Sequence, residues 1–184
     1  MTFLRFLQGK AKGYSISSIL WLEMESLLFG IFSLVPTMLG VALRATILRV
    51  MALRCAGFAW IQPRVIIVHS DRISVGTHLG VNSNSYINGV GGLEIGNYVL
   101  IGSNVTISSG MHPIEGRETP IFARQTVPKK IVIEDDVWIG AGAVIMPGVR
   151  LAKGTVVGAN SVVTKDTEEY SVVVGAPAKK IRTR

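Results

Sequence analysis

Aliphatic residues recur at every sixth position over much of this chain. Isoleucines 95, 101 and 107 are six apart, and the beat resumes at Ile133, Ile139, Ile145, Leu151, Val157 and Val163. A small residue often follows the aliphatic: Gly96, Gly102, Ser108, Gly140, Ala152, Gly158 and Thr164. Two positions ahead of each beat stands another small or aliphatic residue, from Leu93, Val99 and Val105 through Ile131, Val137, Ala143 and Val149 to Thr155 and Ser161. A helix needs spacings of three and four, so a strict six excludes it. A strand of period two fits only if the chain turns at regular intervals. A short fixed period marks a solenoid whose units bury their apolar face only by stacking. Three six-residue units then close one triangular coil, and coils stack at the ~4.8 Å separation of paired strands. Glycine after the aliphatic suits a crowded corner.

The beat starts earlier in another phase, with Ile73/Val75, Val81 and Ile87, and it is broken twice. Two extra residues lie near Gly89–Gly92. The interval from Ile107 to Ile133 holds Met111-His112-Pro113, Pro120, Pro128 and several basic residues, with weak apolar periodicity. Residues 108–130 read as a long loop thrown out of the solenoid, and loops of that length in compact domains are usually functional.

Composition changes ahead of Val65. Residues 1–64 carry seven Lys/Arg against two Asp/Glu, whereas residues 65–184 carry twelve against ten and hold fifteen of the 20 glycines. The expected organisation is an apolar, basic helical segment over 1–64 and a solenoid with a C-terminal tail over 65–184. At 48% hydrophobic, the chain is no disordered segment, and Cys55 as its one cysteine excludes a disulfide-stapled module.

The solenoid half resembles the hexapeptide-repeat acyltransferases, and within them the galactoside/maltose and exopolysaccharide O-acetyltransferases. The residues that carry the resemblance are Ile133-Glu-Asp-Asp-Val-Trp-Ile-Gly140, Ala143-Val-Ile-Met-Pro-Gly-Val149, Val157-Gly-Ala-Asn-Ser-Val-Val-Thr-Lys-Asp166 and Val174-Gly-Ala-Pro-Ala-Lys-Lys-Ile181. Upstream, Ile95-Gly-Asn-Tyr-Val-Leu-Ile-Gly102 and the His112-Pro113 pair also fit. The resemblance covers roughly 65–184. It implies a left-handed parallel β-helix, acetyl-CoA as co-substrate, a sugar acceptor and a homotrimer with sites between subunits.

The same resemblance implies site residues. His112 stands where the family's loop histidine stands, and neutral imidazole suits a general base for an alcohol proton. Asn82, with Asn84 beside it, would hold acceptor hydroxyls, although both also read as turn residues. Trp138, the backbone at Ala141 and Ala159, and the Thr164-Lys165 turn would line the coenzyme, with the Ala141 amide as oxyanion donor. Lys165 and Arg182 would face its phosphates, or else form a solvated basic tail. The chain has Gly89 and Val90 where the family usually carries an acidic residue, which leaves the acceptor open. Serine or an amino-sugar nitrogen on the same fold is the alternative, as is a non-catalytic membrane-tethered scaffold. No metal is expected: His69, His78 and His112 lack the close pair of a zinc site. Cys55 lies outside the repeats and is not read as a nucleophile.

Residues 26–43 are free of charge over eighteen positions, close to the ~20 of a membrane span, but Pro36 interrupts them. Basic residues flank both sides, Arg5, Lys10 and Lys12 before and Arg44, Arg49 and Arg54 after. Two readings follow. Residues 14–53 contact the inner leaflet from the cytoplasmic side, as a peripheral or monotopic attachment. Otherwise they form a soluble cap on the open end of the β-helix in the cytoplasm. No nucleic-acid partner is expected, because no stacking aromatics or binding motif accompany the basic arms.

Overall fold

The computed structural model describes residues 15–184. The basic arm of Arg5, Lys10 and Lys12 therefore lies outside the described residues. Five three-sided coils form the body. The first holds β1 (Arg54–Cys55), β2 (Ala59–Ile61) and β3 (Ile66–Val68), the second β4 (Ile73–Val75), β5 (Leu79–Val81) and β6 (Tyr86–Asn88). The third holds β7 (Leu93–Ile95), β8 (Leu100–Ile101) and β9 (Thr106–Ser108), after which β10 (Gly110–Met111) and β11 (Val127–Pro128) interrupt the winding. It resumes with β12 (Ile131–Ile133), β13 (Trp138–Ile139) and β14 (Val144–Ile145), then β15 (Arg150–Leu151), β16 (Val156–Val157) and β17 (Val162–Val163). Finally β18 (Ser171–Gly175) stacks on β16, and β19 (Ala178–Thr183) folds back antiparallel to it.

The strands form three parallel walls. Sheet A runs β1-β4-β7-β12-β15, sheet B runs β2-β5-β8-β13-β16-β18-β19, and sheet C runs β3-β6-β9-β14-β17. This is the left-handed parallel β-helix architecture that the resemblance implies. All nine beat positions are buried, and so are all nine residues two places ahead of them. The glycines after the beat allow coils to approach. A β-carbon on Gly102 would lie 2.7 Å from the Ala141 amide nitrogen, and one on Gly140 equally close to that of Ala159.

The winding starts earlier than composition suggests. Arg54–Cys55 and Ala59–Ile61 already pair with β4 and β5, so the solenoid begins ahead of Val65. The core-facing residues Cys55, Ile61, Ile67 and Val75 are spaced six, six and eight. That eight-residue step recurs between Ile87 and Ile95, always at the corner from sheet C to sheet A. The long loop leaves from the same corner one coil later.

Two helices close the N-terminal end. Helix α1 (Ile16–Ser33) starts at Ser15, whose side chain accepts from the Ser18 amide, and α2 (Met38–Met51) starts at Thr37, whose side chain accepts from Gly40. Phe29, Ile47, Leu48 and Met51 join the core of the first coil. Two fully buried charges fasten the cap. Arg44 donates from Nε to the Ile61 carbonyl at 2.9 Å, and from Nη1 to the Phe32 and Val35 carbonyls at 2.7 and 2.9 Å. It thereby satisfies acceptors at the end of α1 and ties them to β2. Burial holds its pKa below the usual arginine value. Glu25 accepts from the His69 and Ser70 amides, both at 2.8 Å, and burial pushes its carboxyl above the ordinary range.

Candidate active site

The loop that interrupts the beat is built, not loose. Strands β10 and β11 pair antiparallel, with Gly110 opposite Pro128 and Met111 opposite Val127. At its base the Lys129 amide donates to Ser109 O at 2.7 Å, and Ser109 Oγ accepts from the Gly91 amide at 2.8 Å. The two extra residues near Gly89–Gly92 thus form the seat of the loop in the coil below. Farther out Arg124 is the hub. Nε donates to Thr119 O at 2.9 Å, Nη1 to Pro113 O at 3.0 Å and Glu115 O at 2.5 Å, and Nη2 to Gly116 O at 2.7 Å. Sequence reasoning missed Arg124, because an arginine that binds its own loop's carbonyls has no pattern to find.

His112 directly follows β10, exposed, with the Pro113 carbonyl next to it held by Arg124. Among the described residues none hydrogen-bonds its imidazole. The other histidines occupy corners. His69 begins a one-turn 3-10 segment at the first C-to-A corner, and its pKa is lowered by burial and by the Arg72 charge. His78 stacks on Tyr98 at the A-to-B corners, centroids 4.5 Å apart. No three His, Cys, Asp or Glu side chains among the described residues are grouped to hold a metal ion.

Most other predicted residues fall along sheet B and the B-to-C corner. Outward on sheet B, Trp60, Gly80, Leu100, Trp138 and Val156 are paired in register, and Trp60, Leu100 and Trp138 are exposed. Arg182 closes that row, since Val156 pairs with Val172 and Val172 with Arg182. Three residues past Trp138 comes Ala141, with Ala159 at the equivalent place one coil on. Both are exposed, and among the described residues nothing accepts from either amide. Asn82 occupies the same corner two coils before Ala141, its Nδ2 donating to Ile101 O at 3.2 Å. Asn84 has φ of 63°, and Asn104 and Asn160 at the matching corner positions have 58° and 56°. Asparagine tolerates that left-handed conformation, which accounts for Asn84 as a corner residue.

Thr164 and Lys165 sit elsewhere. They follow β17, exposed at the C-to-A corner, beside Asp166 and Thr167, which bind the backbone of β15. The His112 loop leaves from that same corner two coils earlier. The predicted residues therefore form two sets on opposite edges of sheet C. His112, Thr164 and Lys165 are on one edge, and Asn82, Ala141 and Ala159 on the other with Trp138 and Arg182 around the corner. A groove of about 600 Å³ runs instead along sheet A, floored by Ser74, Glu94, Glu134, Asp135 and Lys153. None of the predicted residues lines it. Two of its carboxylates are already in ion pairs, Glu94 with Lys130 at 2.6 Å and Glu134 with Arg150 at 2.5 Å.

Known proteins are similar to this chain in sequence and fold. A family model described as bacterial transferase hexapeptide (six repeats) matches residues 130–165. Galactoside O-acetyltransferase of Escherichia coli strain K12 is 36% identical over 124 residues, 67% of this chain and 60% of that protein. A hexapeptide-repeat acetyltransferase of Vibrio cholerae, solved with acetyl coenzyme A, is 30% identical with a TM-score of 0.82, covering 93% of this chain and 91% of that one. A galactoside acetyltransferase solved with coenzyme A is 29% identical with a TM-score of 0.83, covering 93% and 84%. The chain spans between 50% and 60% of the length of the first curated relatives it matches.

Proposed function

Because the chain belongs to the hexapeptide-repeat acetyltransferases, we propose that it transfers an acetyl group from acetyl-CoA to a saccharide hydroxyl. The observation that carries this reading is the exposed row on sheet B and its corner. An apolar strip of Leu100 and Trp138 suits the pantetheine arm. The unpartnered amides of Ala141 and Ala159 suit its carbonyl groups, and Arg182 supplies a cation for its phosphates. Coenzyme A and acetyl coenzyme A are bound by the two solved relatives named above.

The chemistry is a direct transfer. The acceptor oxygen attacks the thioester carbon, its proton passes to His112, and the Ala141 amide receives the developing oxyanion. The C–S bond then breaks as the ester forms, and the proton leaves with the coenzyme thiolate. Cys55 takes no part, being one of the core-facing residues of the first coil, with its thiol donating to Gly57 O at 3.2 Å.

One protomer does not complete this site. The two sets stand on opposite edges of sheet C, separated by about 15 Å at ~3.3 Å per residue. A trimer that brings the C-to-A corner of one copy against the B-to-C corner of the next unites them. The loop then reaches across with Ile114, Ile121 and Phe122, which are 69, 52 and 65% exposed. For the acceptor we favour a sugar unit in surface or exopolysaccharide synthesis, supported by the resemblance of the closing motif.

Release of free thiol from acetyl-CoA, measured with galactosides, amino sugars and serine as acceptors, tests the reaction and its class. Transfer to sugar hydroxyls is expected. His112→Ala should lower the rate by about 10²–10⁴ without changing assembly or melting. Turnover close to wild type in that variant rejects His112 as base, and no thiol release with any acceptor rejects the reaction.

A further inference from the structure

The cap on the first coil has two faces, and the solenoid uses one. On the outer face of α1, Ile16, Leu20, Met24, Leu27 and Ile31 recur at spacings of four and three, each between 45 and 78% exposed. The apolar surface continues over the turn through Leu34 and onto α2 with Met38, 67 and 66% exposed. Helix α1 alone is about 27 Å long at ~1.5 Å per residue. Soluble monomers seldom leave a continuous apolar stripe of that length bare.

Charge around this face identifies what covers it. Residues 15–51 contain four charged side chains, Glu23, Glu25, Arg44 and Arg49. Glu25 and Arg44 are buried against the solenoid backbone, which leaves Glu23 and Arg49 exposed. Exposed Arg54 and Arg64 follow, and in the sequence Arg5, Lys10 and Lys12 come immediately before the helix. An apolar face with Glu23 at its edge but with more cations than carboxylates around it is the pattern of an interfacial anchor on an anionic leaflet. Pairing with a second copy would bring two strongly basic segments together, and like charges oppose that contact.

Crossing a bilayer would cost this helix its packing on the first coil. By length and composition Ile16–Ser33 qualifies as a span. Its inner face, however, is fastened to the first coil by Phe29 and by the Glu25 bonds to His69 and Ser70, and insertion would break them. We propose that the outer face of the α1–α2 hairpin lies flat on an anionic lipid bilayer and docks the solenoid there by its capped end. Capping and membrane contact, alternatives at the level of sequence, are then the tasks of opposite faces of one hairpin.

Flotation of the purified full chain with vesicles tests this, using phosphatidylcholine alone and phosphatidylcholine mixed with phosphatidylglycerol. The wild type should float with the mixed vesicles, and added salt should weaken but not abolish binding. The triple variant Leu20→Gln, Leu27→Gln, Ile31→Gln alters only outward side chains and should bind about tenfold less at an unchanged melting temperature. The pair Arg49→Gln, Arg54→Gln serves if the triple variant does not fold. It should weaken binding to the mixed vesicles by about fivefold per residue and leave phosphatidylcholine unaffected. Wild type that floats with neither vesicle overturns the proposal, as does an Arg pair with unchanged binding. If the wild type does not float and light scattering shows the triple variant to be a smaller oligomer, the face is instead an interface between copies.

Discussion

The coils and the loop at 109–130 are made of one chain but held by different forces. In the coils the inward side chains recur mostly at every sixth position and are buried, and each inner strand bonds to the coil before and after it. Stability there comes from contacts between residues one coil apart, and a change propagates along the stack. The loop has little apolar interior: Ile114, Ile121 and Phe122 face outward. It keeps its shape through the short β10–β11 ladder and one guanidinium shared among four carbonyls. A wall that must not move therefore carries a segment that is able to reach another molecule, and the base proposed for the chemistry sits on that segment.

If this contrast is right, core substitutions should cost stability wherever they fall in the coils. Ile101 is fully buried and flanked on sheet B by Val81 and Ile139. Ile101→Ala should lower unfolding free energy by about 3 kcal/mol, the usual range for such a cavity being about 2–5. Urea denaturation followed by far-UV dichroism measures it. A loss below about 1 kcal/mol would mean that the coils are less closely packed than their burial indicates.

A smaller effect tests the corners. A β-carbon on Gly140 would meet backbone atoms, the Ala159 nitrogen and the Val157 oxygen, both at 2.7 Å. Neither can rotate away as a side chain would, so the coils must part locally. Gly140→Ala should lose about 2 kcal/mol, within the range for overpacking. The thermal midpoint reads it directly, and an unchanged value would show that the corner has slack.

Much of the fold was legible because the beat and the inward positions coincide. Ile95 through Val163 could be assigned to the core from spacing alone. The first coil was hidden by the eight-residue step from Ile67 to Val75 and by the small inward residues Cys55 and Ala59. The charge-free run 26–43 does not correspond to one element: it joins the second half of α1, the turn at Pro36 and the start of α2. Glu25, two residues after Glu23 in an apolar helix, carried no sign that it would accept two corner amides. At the site, residue types were readable through the resemblance, but the division between two edges of sheet C was not. That division depends on which corner each strand precedes, and the six-residue period is the same for all three.

The smallest stability effect should come from the loop, and it separates the two regions most sharply. Arg124 binds four carbonyls between Pro113 and Thr119, so its removal frees the segment that follows His112. None of those acceptors belongs to a coil. Arg124→Ala should therefore change global unfolding by less than about 1 kcal/mol, since loops open locally without the core. Acetyl transfer should nevertheless fall by about tenfold or more, because a base displaced by about 1 Å loses most of its advantage. The loss should appear in kcat, with trypsin cleaving the loop at Arg117 faster than in the wild type. Lysine should not rescue it, because an ammonium lacks the planar fork that reaches carbonyls on several sides. A fall in the global midpoint comparable to that of Ile101→Ala would show that the loop is part of the packed body. An unchanged kcat would show that the shape Arg124 imposes is not what presents His112.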